Sequence, residues 1–229
     1  VRLDTREIVG LEALCRIRTS DGRVVAAAAF FEGLADVNVA TDVTERMLTT
    51  VARDIRAWLD LGIPVQHVGI NVSSADFSSG ALAAKVAAAF AAWNVPLKHA
   101  ILEVTEEVYL GRREQNVAQE IKVLREKGLR IALDDFGTGY ASLTHLLTVP
   151  VDIVAEGIET ESQAAQLLAA GCQLGQGYLF SEAVDRDAAT ELLQRMAQAR
   201  PDHDQREGAL AQAEAAAETL RGLAISSPR

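Results

Sequence analysis

The chain has 229 residues and a formal net charge of −10, from 22 Lys and Arg against 32 Asp and Glu. One α/β barrel runs to about 250 residues as a single domain, so one main domain is the expectation. A chain this acidic lacks the basic tracks that a DNA or RNA polymer demands, which excludes such partners, but clustered acids holding divalent cations can still admit a small phosphorylated ligand.

In chain order the pattern is strand then helix, repeated. Residues 7–18, EIVGLEALCRIR, read as one strand ending near Arg16. Residues 44–62 place Met47, Val51, Ile55 and Leu59 at helical spacing, and Gly62 stops the run. Residues 67–73, HVGINVS, alternate: Val68, Ile70 and Val72 lie on one side, Gly69, Asn71 and Ser73 on the other. An Ala-rich helix follows at 82–93, a strand at 99–107 and an amphipathic helix at 113–128 that ends on Gly128. Residues 129–139 read as a strand entering a Gly-rich loop. A strand at 153–157 precedes a helix at 160–171, opened by the capping pair Thr160 and Gln163 and closed by Gly171. A short strand at 173–178 and a helix at 185–196 complete the pattern. Such alternation predicts right-handed βαβ units and an α/β fold with a mainly parallel sheet. Residues 1–196 are expected as the domain, and 197–229, rich in Ala and Glu, as a helical or disordered tail without chemistry.

No apolar run reaches the roughly 18 residues of a membrane span, so none is expected. No signal peptide leads the chain, which starts at Val1 rather than Met and reads as a piece of something longer. Cys15 and Cys172 sit in apolar contexts and are expected as buried, reduced thiols, which suits a cytoplasmic location.

The acids follow the strands. Glu12 lies in 7–18, Glu103 in 99–107, Asp134 and Asp135 end 129–135, and Glu156 ends 153–157, with the amide Asn71 near the end of 67–73. In a barrel the apolar side of each strand faces the helices and the polar side the lumen, so these groups converge at the C-terminal ends of the strands. Like charges brought together raise one another's pKa or recruit cations. An all-oxygen set favours hard ions such as Mg²⁺ or Mn²⁺. The adjacent Asp134 and Asp135 suit two metals about 3.5–4 Å apart, a geometry for phosphoester hydrolysis.

Six motifs then occur in order: Glu12-Ala13-Leu14 in GLEALCR, Asn71 in INVS, Glu103 in LEVTE, DDFGTGYASL (134–143), VAEGIET (154–160) and QGYLFS (176–181). From Val1 to about Met196 the chain resembles the EAL-domain family of cyclic di-GMP phosphodiesterases. The resemblance implies a modified (β/α)8, TIM-like barrel. It implies metal-dependent hydrolysis of cyclic di-GMP to linear pGpG, a step in bacterial second-messenger signalling. It matches Glu12, Asn71, Glu103 and Asp134 to the ligands of one Mg²⁺ or Mn²⁺, with Asp134 bridging to a second that Asp135 also serves. Glu156 matches the acid required in the same site, so that Glu12, Asp134, Asp135 and Glu156 form the catalytic set. Arg16 resembles the arginine that grips a substrate phosphate, and Leu14, Glu159 and Gln176 are placed with it in substrate binding. Glu106 resembles the acid that steadies the loop from Phe136 to Ser142. A homodimer and an upstream sensory or regulatory domain are further implications.

The chain also departs from the family pattern. Val151-Asp152 runs straight into Ile153-Val154-Ala155-Glu156, where the family has a Lys-bearing strand and a helix. About one βα unit, on the order of 30 residues, has no counterpart at 152/153. This is either a true deletion, which would leave unpaired strand edges, or residues that this sequence omits. Lys98, Lys122 and Lys127 lie in or beside helices and do not replace the missing Lys by position. The family's opening Tyr-Gln-Pro strand is absent before Val1, and 26–36, AAAAFFEGLAD, lacks the Pro and the Glu that the family has at their places in this segment. Three readings stay open: a phosphodiesterase, a catalytically inactive cyclic di-GMP receptor, and a scaffold for protein contacts, against which the retained acids argue.

Overall fold

The computed structural model describes residues 1–78, 80–105, 108, 114–134 and 154–197. Glu106, Asp135, the loop 136–142, the join at 152/153 and the tail beyond 197 lie outside these residues.

Four strands form a parallel sheet in the order β1–β4–β5–β6: β1 is Gly10–Ala13, β4 His67–Val72, β5 Ala100–Thr105 and β6 Arg130–Asp134. Their register sets Glu12 beside Gly69, Asn71 beside Glu103, and Thr105 beside Asp134. Alternation follows the sequence. Val68, Ile70 and Val72 of β4 and Ala100, Leu102 and Val104 of β5 are buried in the main core, which leaves Glu12, Asn71, Glu103 and Asp134 on the opposite face.

Helices cover the apolar face. Helix α1, Val37–Asp60, buries Leu48, Val51, Ala52, Ile55 and Trp58, with Met47 and Leu59 at the margin of the stripe. It starts seven residues before the expected 44, because Asp36 accepts hydrogen bonds from the backbone N–H groups of Asn38 and Val39. The short α2, Ser74–Phe77, is opened by a capping box of Ser73 and the buried Asp76. Helix α3, Leu82–Ala92, buries Leu82, Val86 and Phe90 and ends before Asn94 at φ +52°. Helix α4, Glu114–Glu126, buries Val117, Ile121 and Leu124 and stops before Gly128 at φ +86°. Helix α1 packs on α3 and α3 on α4. Helix α1 also meets the last described helix, α6 at 186–197. There Trp58 Nε1 donates to Thr190 Oγ1 at 2.8 Å, and Asp54 sits 3.1 Å from both Arg53 and Arg186.

A second parallel pair, β7 (Val154–Ala155) with β8 (Leu174–Gly175), carries helix α5, Glu161–Ala169. The expected capping box of Thr160 and Gln163 opens α5. Residues 1–3 run along β8: Val1 exchanges backbone bonds with Gly175 at 2.7 and 2.9 Å, Leu3 N–H donates to Gln173 O at 2.9 Å, and Arg2 bridges Leu174 antiparallel. Leu3, Ile158 and Ala164 form a small core there. Among the described residues no strand lies between β6 and β7, and the described parallel strands fall into two sheets rather than one closed ring.

Two expectations are corrected. Residues 7–18 are not one strand: β1 ends at Ala13, and Arg16–Arg18 form β2, which pairs antiparallel with β3, Val24–Ala26, in a separate hairpin. The apolar run Ala13-Leu14-Cys15 joins the two strands without a Gly, Pro, Asn or Asp to mark the change of sheet. Cys15 and Cys172 are free but only half-buried; burial still pushes the Cys15 thiol up.

Candidate active site

The polar face of the sheet is built by small residues that let large ones lie across it. Gly69 stands in register between Glu12 and Ile101, and a Cβ there would collide with Glu103 Oε1. Glycine at 69 therefore lets the Glu103 carboxyl fold down over β4, toward Glu12. Lower on the same face, Gly10 accommodates the ring of His67, where a Cβ would collide with the imidazole. Arg130 Nη1 lies 3.4 Å from His67 Nδ1. Burial, the nearby Arg130 charge and the chain's amino terminus lower the His67 pKa to about 4, so it is a neutral imidazole near pH 7.

Glu12 is held at both oxygens. Asn71 Nδ2 donates to Oε1 at 2.7 Å and Gln176 Nε2 donates to Oε2 at 3.0 Å. Glu103 has the opposite environment. Burial, then repulsion from Glu12, Asp134 and Glu156, raises its pKa to about 8. A proton thus supplies at Glu103 the positive charge that four converging carboxyl groups lack.

The sequence-derived residues divide accordingly. Glu12, Asn71, Glu103 and Asp134 share one face, and Glu156, directly after β7, acts on it through its charge. Gln176, directly after β8, joins them through Glu12. Leu14, 43% exposed, lies between β1 and β2, and Arg16 is exposed with its Nη1 on the Cys15 carbonyl. Glu159 is exposed at the turn into α5, where its backbone N–H donates to Gln163 Oε1 at 2.9 Å. Asp135 and Glu106 lie outside the described residues. Sequence reasoning did not single out His67, Gly10 or Gly69. Their available signal was a pair of glycines at strand positions that face the polar side.

Carboxylates and one neutral amide make an all-oxygen donor set, and burial and then repulsion from the neighbouring acids both push the Glu103 carboxyl up, which agrees with a set short of countercharge. By this chemistry the residues fit a hard divalent cation. They are not drawn into a cage: among the described residues no three His, Cys, Asp or Glu side chains gather closely enough to hold a metal ion.

Comparison with known proteins agrees with the motifs. The model of the EAL domain matches residues 1–155. The "Probable cyclic di-GMP phosphodiesterase PdeB" of Escherichia coli (strain K12) is 30% identical, over 82% of this chain and 42% of that protein. The "Uncharacterized protein Rv1354c" of Mycobacterium tuberculosis (strain ATCC 25618 / H37Rv) is 28% identical, over 84% of this chain and 37% of that protein. The chain thus spans less than half the length of these curated relatives. The solved structure "PaMucR Phosphodiesterase, c-di-GMP complex" superposes with a TM-score of 0.71 at 26% identity, covering 77% of this chain and 85% of that one. The chain belongs to the EAL domain family, with that family's TIM-like α/β fold.

Proposed function

We propose that the chain hydrolyses cyclic di-GMP to linear pGpG in a reaction that depends on Mg²⁺ or Mn²⁺. The observation that carries this reading is the shared polar face of one parallel sheet, on which Glu12, Asn71, Glu103 and Asp134 stand in register and burial, then repulsion from Glu12, Asp134 and Glu156, pushes the Glu103 carboxyl up. The relatives named as phosphodiesterases and the solved complex with c-di-GMP support the choice of substrate. Glu12, Asn71, Glu103 and Asp134, with Asp135 and Glu156, would hold the cations in a two-metal site. Bound there, the cations acidify a water and offset charge on the phosphate.

The chain's own residues have distinct tasks in this reading. Asn71 contributes a neutral donor, which limits the negative charge around the site. The Arg16 guanidinium binds phosphate oxygens, as a planar fork of donors does well. Leu14 offers exposed apolar surface to a guanine. The water oxygen joins phosphorus, the P–O3′ bond breaks, and the proton that the water sheds passes by way of Glu156 to the freed 3′ oxygen, so that one cyclic diester becomes a 5′-phosphate. Glu156 accepts the proton that the attacking water sheds. The family resemblance gives Glu106 the task of steadying the loop after Asp135. Incubation with cyclic di-GMP and either cation tests the reading, and the absence of pGpG would sink it.

A non-catalytic cyclic di-GMP receptor is the second reading, and the chain's four lysines favour it. Lys85 pairs with Glu45 at 2.9 Å on α3, Lys98 lies in the turn before β5, and Lys122 and Lys127 lie in and after α4. None lies on a strand of the polar face. Tight nucleotide binding in calorimetry without turnover would select this reading.

A further inference from the structure

Gln176 stands between two glycines that are both packed against their surroundings. At Gly175 an added Cβ would meet Ile158 Cδ1 and Leu3 Cδ2, the latter at 2.8 Å. At Gly177, with φ +152°, it would collide with the backbone of Ile158. The backbone of Gln176 is itself fixed on both sides: its N–H donates to Ala155 O at 2.8 Å, and its carbonyl accepts from Ile158 N–H at 3.1 Å. The triplet therefore presents one side chain from a clamped backbone. That side chain reaches Glu12, 164 residues away in sequence, and donates at 3.0 Å to the oxygen that Asn71 leaves. This bond uses one N–H of the amide and sets the direction of the side chain, toward the carboxylate. The family resemblance put Gln176 in substrate binding, but the geometry gives it another task.

We propose that Gln176 is a positioning residue that fixes the Glu12 carboxylate from the β8 side of the fold. The inference rests on the phosphodiesterase reading of this site, and its test separates the two. Wild type, Gln176→Ala and the near-isosteric Gln176→Met are compared in three measurements: calorimetry with Mn²⁺ alone, calorimetry with cyclic di-GMP in EDTA, and steady-state hydrolysis. Partners that orient a ligating side chain typically contribute about 10–100-fold to metal affinity or activity. Both variants should therefore need about tenfold more Mn²⁺ for half-saturation and lose about 10–100-fold in kcat. Nucleotide Kd and KM should stay within about threefold. The methionine variant fills the same space, so a defect shared with Gln176→Ala reports the lost donor rather than lost packing. A rise in nucleotide Kd or KM with Mn²⁺ affinity intact would return Gln176 to substrate binding and overturn the proposal, as would two variants that match wild type. If wild type makes no pGpG but the Mn²⁺ shift appears, the positioning role stands and the phosphodiesterase reading falls. If wild type binds no Mn²⁺, both fall.

Discussion

At Glu103 burial and repulsion act in the same direction, and their sum has a measurable sign. The folded carboxyl keeps its proton to about pH 8, whereas its ordinary value is 4.5. Between these values the unfolded chain has released a proton that the folded chain retains, so stability falls as pH rises. In EDTA, wild type should lose on the order of 2–3 kcal/mol more than Glu103→Gln between pH 5 and pH 8. Urea unfolding at both pH values checks this, and parallel pH dependence in the two proteins would contradict it. Gly69→Ala tests the floor of the same site. The new methyl displaces the free end of Glu103 rather than backbone, so the fold should survive while turnover drops by at least about tenfold, a cost of roughly 1.4 kcal/mol in the barrier. Period-two alternation made the common face of Glu12, Asn71, Glu103 and Asp134 legible. It could not show that Gln176 reaches Glu12, because nothing local in the sequence reports a contact across 164 residues.

Elements were read well where their ends carry a signal in a single residue. Gly62, Gly128 and Gly171 each end a helix with positive φ, and Thr160 with Gln163 opens α5. The first turns of α1 were missed because Val37 and Val39 are exposed there, so the apolar stripe begins later than the helix. Asp36 was the readable signal. Replacing it with Ala should destabilise the protein by about 1 kcal/mol, since two N–H groups lose their acceptor; thermal unfolding measures the loss. The β2–β3 hairpin was missed for a different reason. Asp21-Gly22, with Gly22 at φ +85°, marks its turn, but the apolar run Ala13-Leu14-Cys15 carries no turn residue to mark the change of partner strand.

For the whole molecule, the strand–helix alternation gave the α/β class and the parallel order. It could not give closure, which depends on how distant segments meet. Among the described residues, the long-range ties include residues 1–3 along β8, Gln176 on Glu12, Arg6 with Glu161, and α6 against α1 through Trp58, Thr190, Asp54 and Arg186. Ala189 and Leu193 of α6 enter the main core, and Phe90 of α3 is wholly buried in it. Phe90→Ala should cost about 3–5 kcal/mol, from lost transfer energy and the cavity left behind, which denaturant unfolding would show. Mg²⁺ should act in the opposite sense, since an ion that binds only the folded chain stabilises it by about 2.7 kcal/mol at a hundredfold excess over Kd. The central claim joins fold to chemistry, and one measurement tests it most directly. The purified chain is incubated with cyclic di-GMP and Mg²⁺ or Mn²⁺ beside Glu12→Gln, and the products are separated by chromatography. Linear pGpG from wild type, with none from Glu12→Gln or in EDTA, is the expected result. Intact cyclic di-GMP in every sample, from protein that is folded and holds the cation, would contradict it.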